Sequence, residues 1–197
     1  MDTKDFKYIE KYAEEHNIEL MEKGSIKFIT KYISENNVKK ILEIGTSIGY
    51  LTIKMALCKD NIKITTIEKD CNKYIEALKN IKSFELEKQI SLVLKDALEL
   101  ETDEKYDLII IDIAKGDYIE LFKKYSNNLN NNGIIITNNL NYNNIMDQEI
   151  ENVDENTKKV ISRIEEYIEY LMNNNDFKTK FYKIDDGLSV SRKLENN

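Results

Sequence analysis

The sequence predicts a doubly wound α/β fold: a mostly parallel, seven-stranded sheet with helices on both faces, two extra N-terminal helices and a C-terminal antiparallel hairpin. Three observations predict it. From residue 39 to residue 137, apolar segments of strand length alternate with segments of helical periodicity. The runs "LIII" and "IIIT" are apolar at consecutive positions, as strands covered on both faces must be. Near the end, "FKTKFYKI" and "LSVSRK" flank the turn "DDG", a hairpin signature. Alternating strands and helices give parallel pairing with right-handed crossovers, and the hairpin adds antiparallel edge pairing.

The elements follow in order. "TKDFKYIEKYAEEHN" and "EKGSIKFITKYISENN" read as helices, the second with Ile26, Phe28, Ile29, Tyr32 and Ile33 at helical spacing; the extended piece "IELM" lies between them. "KKILEIG" is the first strand, "YLTIKMALCKD" a helix, "IKITTIE" the second strand and "KYIEALKNIKSF" a helix. "ISLVLKD" and "YDLIIID" are the third and fourth strands, and "DYIELFKKYSNNL" is a helix with Gly133 as its breaker before the fifth strand, "IIIT". The polar stretch "MDQEIENVDENT" reads as a loop leading into a helix with Val160, Ile161, Ile164, Ile168 and Leu171 on one face. No repeat, linker or composition shift divides the chain, so residues 1–197 are expected to form one domain.

Composition excludes several classes. The chain is 33% charged and 41% hydrophobic, and no apolar run approaches the ~18 residues of a membrane span. The N-terminus lacks the apolar stretch of a signal peptide, so a cytoplasmic location is expected. Cys58 and Cys71 lack metal-binding or redox spacing and read as reduced structural thiols. A net charge of −7 argues against non-specific coating of nucleic acid, though local lysine clusters leave room for docking of a folded RNA. The lone histidine, His16, reads as solvated, and no Ser-His-Asp or Cys-His arrangement supports hydrolysis.

Ligands of doubly wound sheets bind beyond the carboxyl ends of the strands. Here those ends carry Glu43, Gly45 and Gly49; Glu68; Asp96 and Ala97; Asp112; and Asn138 with Asn139. Carboxylates placed after apolar runs are costly unless each has a partner. The glycines are spaced G-x-x-x-G rather than G-x-G-x-x-G, which disfavours a nicotinamide dinucleotide. Glu68, 19 residues beyond Gly49 (68 − 49), suits a ribose diol, and Glu43 suits an ammonium rather than a pyrophosphate. A ribonucleoside with a cationic amino-acid tail satisfies both acids, and S-adenosylmethionine is such a molecule.

The stretches "ILEIGTSIGYLTIKMA", "TTIEKD", "LVLKDALE", "YDLIIIDIAKGDYIELFKKY" and "GIIITNNL" resemble the class I O-methyltransferases of the catechol and caffeoyl-CoA type. The likeness runs from residue 18 to residue 193. Within that family, "IDIAKGDY" and the short N-terminus are most similar to bacterial tRNA 5-hydroxyuridine methyltransferases, which make 5-methoxyuridine at the wobble position of the anticodon. The resemblance implies that Met21 flanks the cofactor, that Glu43, Gly45 and Tyr50 line its methionine end, that Glu68 holds the ribose and that Asp96 and Ala97 border the adenine. Leu51 stands where a cofactor-contacting serine is usual, leaving Thr52 to compensate. It further implies a divalent cation, Mg2+ or Ca2+, between Asp112, Asn138 and Asn139, with Asn138 replacing the family's aspartate. An amide oxygen is a neutral ligand, so a weak site is expected; the alternative is no metal, with the amides left for hydrogen bonding. Asp112 would also border the cofactor and act in catalysis. Lys115 aligns with the general base, its other reading being a contact to RNA phosphate. The implied partners are a tRNA anticodon region and a second copy of the chain, with no membrane. Methylation of a small catechol or phenol, a nicotinamide-dependent oxidoreductase and a non-catalytic binder remain as alternatives.

Overall fold

The computed structural model describes residues 5–113, 117–140 and 155–194. Seven strands form one mixed sheet in the order β3-β2-β1-β4-β5-β7-β6. By compactness the chain divides into two units, residues 1–102 and 103–197.

The first unit opens with α1 (Phe6–Glu15), started by Asp5, whose carboxylate accepts the Lys7 N–H at 3.0 Å. Helix α2 (Lys23–Glu35) buries Ile26, Ile29 and Ile33, three of the five residues expected on its apolar face. Next come β1 (Lys40–Ile44), α3 (Tyr50–Ala56), β2 (Lys63–Glu68), α4 (Cys71–Ser83) and β3 (Ile90–Leu94). β2 pairs in parallel with both β1 and β3, Leu42 facing Thr65 and Thr66 facing Leu92. Ile41, Leu42 and Ile44 are buried, as a strand flanked by helices requires. Helix α3 ends earlier than its apolar pattern predicts. The Cys58 N–H bonds back only three residues, to the Met55 carbonyl (3.1 Å), and Leu57 is exposed, so a longer helix would bury nothing more. Cys58 is half-buried and free, whereas Cys71, expected to be structural, is free and exposed at the start of α4.

The second unit contains β4 (Tyr106–Ile111), α5 (Tyr118–Ser126), β5 (Leu129–Thr137), α6 (Glu155–Met172), β6 (Phe177–Tyr182) and β7 (Leu188–Lys193). β4 and β5 are parallel; β7 runs antiparallel to both β5 and β6. The C-terminal hairpin therefore forms as the pattern predicts, but its antiparallel member is not the edge strand. β7 inserts beside β5 because it carries the buried positions Leu188, Ser189 and Ser191, leaving the more exposed β6 outside. Gly133 does not break the preceding helix. It lies within β5, near the register shift between Tyr106 and Leu108, where a Cβ would meet the Leu129 side chain at 2.9 Å. Helix α6 buries Ile164, Ile168 and Leu171, as its periodicity predicts, and also Tyr167. Phe122 of α5 is fully buried against the Tyr167, Tyr170 and Phe177 rings, at centroid distances of 6.1, 5.8 and 5.0 Å. Among the described residues no helix is long and apolar enough to cross a membrane.

Candidate functional site

The loop between β1 and α3 is built on positive backbone angles: Gly45 at φ +100°, Ser47 at +50° and Gly49 at +83°. The N–H groups of Gly45 and Thr46 both donate to the Ile67 carbonyl, at 3.0 and 3.2 Å, joining the loop to the end of β2. Buried Asn80 of α4 donates its amide to the Ile48 carbonyl at 2.9 Å and braces the loop from behind. A Cβ on Gly49 would meet Ala77 at an ordinary 3.5 Å, so only the backbone conformation opposes a side chain there. Gly49→Ala should therefore cost about 1–2 kcal/mol in chemical denaturation, the left-handed penalty with no clash added.

Glu68, at the end of β2, is held from both sides. Its Oε2 accepts the Ser47 N–H at 2.7 Å, and its Oε1 accepts the N–H groups of Lys69 and Asp70 at 2.9 Å each. A carboxylate offers about four acceptor positions, so capacity for a further donor remains on the Oε2 side. Glu43 is placed differently: it is fully buried, and its Oε2 accepts the hydroxyls of Thr52 and Thr66 at 2.5 and 2.6 Å. Thr66 is in turn paired with Thr46 Oγ1 at 2.6 Å. Glu43 thus acts on the glycine loop from beneath, through threonines.

The remaining cofactor candidates of this unit are distributed around that loop. Met21 is half-buried in the connection between α1 and α2. Tyr50 opens α3, and its hydroxyl donates to Glu10 of α1; burial first, then that carboxylate, push its pKa far up. Leu51 is buried, and the hydroxyl of Thr52 beside it donates to Glu43 Oε2. Asp96 accepts the Leu98 N–H at 2.9 Å and lies 3.6 Å from Lys69 Nζ, with Ala97 beside it at 9% exposure. Thr46, Ser47, Thr66 and Asn80 were not singled out from sequence. Thr65 and Thr66, two polar side chains within an otherwise apolar strand run, carry the available signal.

In the second unit, Asp112 follows β4 and Asn138 follows β5. Asn138 donates its backbone N–H to the Ile111 carbonyl at 3.0 Å and its side-chain Nδ2 to Asp112 Oδ1 at 3.1 Å. Asn139 turns the chain at φ +64°, a conformation asparagine tolerates better than most residues. The Asn138 amide thus serves the aspartate, and the Asn139 backbone makes the turn. Tyr118 is buried; its hydroxyl donates to the Ile113 carbonyl at 3.1 Å, and burial, then the Asp112 charge, raise its pKa strongly. Tyr118 stacks on Tyr167 with centroids 5.2 Å apart, and Tyr125 is fully buried, so both pack in the core. Lys115 lies outside the described residues.

Each implied group can be tested against these residues. The glycine loop fits a nucleoside ligand: it is turned by two glycines, its Ser47 N–H is fixed on the Glu68 carboxylate, and its Ser47 Oγ is buried with no hydrogen-bond partner. The cation fits less well, since a divalent ion needs converging oxygens and Asn138 turns an N–H donor toward Asp112. Among the described residues no group of three or more His, Cys, Asp or Glu is placed to hold a metal ion. Asp112, Asn138 and Asn139 as placed therefore fit a cation poorly, and the hydrogen-bonded pair of Asn138 and Asp112 is the arrangement that the alternative reading, amides without a metal, describes.

A seven-stranded, mostly parallel sheet with this terminal antiparallel pair and a glycine loop after the first strand defines a Rossmann-like methyltransferase fold. The O-methyltransferase family profile matches residues 4–194, and the chain belongs to that family. It is similar to a Staphylococcus aureus protein provisionally called a caffeoyl-CoA O-methyltransferase, with 31% identity, 95% of this chain and 91% of that chain covered, and a TM-score of 0.89. The fold is shared with an O-methyltransferase from Bacillus cereus solved in complex with SAH (20% identity, 98% and 91% covered, TM-score 0.81). It is shared as well with the Podospora anserina methyltransferase PaMTH1, also SAH-bound (19% identity, 89% and 80% covered, TM-score 0.78).

Proposed function

We propose that this chain is an S-adenosylmethionine-dependent O-methyltransferase that converts 5-hydroxyuridine at the wobble position of a tRNA to 5-methoxyuridine. The observation that carries the reading is Glu68, pinned by three backbone N–H groups at a strand's carboxyl end and able to accept a ribose hydroxyl. The SAH-bound relatives support the same cofactor, and "IDIAKGDY", residues 111–118, supports the tRNA acceptor by resemblance. In this reading the Gly45–Gly49 loop holds the amino-acid end, Asp96 and Ala97 border the base, and Ser47 Oγ gains the partner it lacks. Met21, Tyr50 and Leu51 supply apolar walls. The tRNA partner and a pairing of two chains rest on the resemblance, and the cytoplasmic location on the N-terminal composition.

When bound, S-adenosylmethionine supplies a methyl group on a sulfonium sulfur, which keeps the bonding electron pair as the acceptor oxygen forms its bond to carbon. The protein's task is to align that oxygen and remove its proton. The 5-hydroxyl is enolic and sits beside the 4-carbonyl, so it loses its proton more readily than an ordinary alcohol. Lys115, three residues past Asp112, is the base in this reading and takes that proton in its neutral form. Lys115→Met should lower kcat by about 100-fold with little change in the KM for tRNA. A raised KM with kcat retained would make Lys115 a phosphate contact instead.

A small phenolic acceptor is the second reading, favoured by the description of the Staphylococcus aureus relative. Methyl transfer from labelled cofactor, offered in parallel to tRNA lacking the modification and to catechols, separates the two. Label in tRNA supports the first reading; label in catechol alone replaces it with the second; label in neither removes both.

A further inference from the structure

We propose that Asn138 takes over the place of a divalent cation at Asp112, so that this enzyme works without a bound metal and Asn138→Asp would create the missing site. Two features of the second unit carry this. First, Asn138 is 8% exposed and its Nδ2 donates to Asp112 Oδ1 at 3.1 Å, so the carboxylate already receives a hydrogen-bond donor where a cation would otherwise neutralise it. Second, the strand end that carries Asn138 is tied down. Its N–H bonds to the Ile111 carbonyl at 3.0 Å, and the preceding Thr137 shares a 2.7 Å hydrogen bond with the fully buried Tyr167 hydroxyl.

For Asn138 and Asp112 to ligate one ion, the amide would have to rotate its oxygen toward the carboxylate. That trades an attractive contact for two facing oxygens with only one negative charge between them. Aspartate at 138 reverses the balance: two carboxylates close together in a buried place repel unless a proton or a cation lies between them. The inference rests on the proposed acceptor role of this unit, but it is tested on the protein alone.

The experiment is a Mn2+ titration of the full chain, followed by electron paramagnetic resonance, for wild type, Asn138→Asp and Asp112→Asn. Wild type and Asp112→Asn should give the same trace, with no saturable site up to about millimolar Mn2+, the weak end for protein oxygen sites. Asn138→Asp should gain one site per chain, at least about tenfold tighter than any wild-type binding. A saturable wild-type site that Asp112→Asn abolishes would overturn the proposal, and that comparison stands even if Asn138→Asp does not fold. Methyl transfer by wild type should also be unchanged by EDTA. A chain inactive on every acceptor would count against the proposed function and leave the Mn2+ result intact.

Discussion

Glu68→Gln is expected to weaken binding of S-adenosylhomocysteine by about 30- to 100-fold, measured by titration calorimetry, because hydrogen bonds to a charged group are each worth about 1.5–3 kcal/mol. The glutamine has the same shape but only one acceptor oxygen. Three backbone donors, from Ser47, Lys69 and Asp70, now converge on two carboxylate oxygens, so an amide must turn its NH2 group toward at least one of them. The Ser47 bond links Glu68 to the glycine loop, so the loss should reach the loop as well as the ribose. Unchanged affinity in a folded Glu68→Gln sample would sink the assignment of this strand end to the cofactor.

Thr66→Val is expected to destabilise the fold by about 3 kcal/mol in urea unfolding, since it removes a donor from a carboxylate that is wholly out of water. Valine nearly matches threonine in volume, so packing is kept while the bonds to Glu43 Oε2 and Thr46 Oγ1, 2.6 Å each, are lost. Thr66→Ser keeps the hydroxyl and should cost only about 1 kcal/mol, the value of a buried methyl. Thr65→Val, on the neighbouring half-buried position, is the control and should stay within about 0.5 kcal/mol. Equal losses from the serine and valine variants would show that Thr66 contributes volume rather than a hydrogen bond.

Particular residues show how far sequence reading reaches. The strands "KILEI" and "KITTIE" and the helix between them were legible because buried segments write apolar runs into adjacent residues. Gly49 was legible because a turn at φ +83° needs a residue without Cβ. Asn139 also turns the chain at positive φ, a backbone role with no local signature beyond the tolerance of asparagine for that conformation. Glu43 was read as facing a ligand's ammonium because it is an acid in a loop motif; its engagement by Thr52 and Thr66, 9 and 23 positions away, has no local signature. Gly133 was read as the end of a helix because a lone glycine between periodic segments looks the same in either setting, and only the pairing of β5 with β4 places it inside a strand.

What the sequence determined by itself is therefore the order of elements, the terminal hairpin and the strand ends on which the acids and amides stand. These follow from local patterns of burial and turn chemistry. Tertiary structure decided the partners: β7 between β5 and β6, Glu68 on the Ser47 N–H, and Asn138 as a donor to Asp112 across 26 positions of chain. A hydrogen bond depends on the direction of both groups, and the direction of a side chain at a strand end is set only when the neighbouring strand is in register.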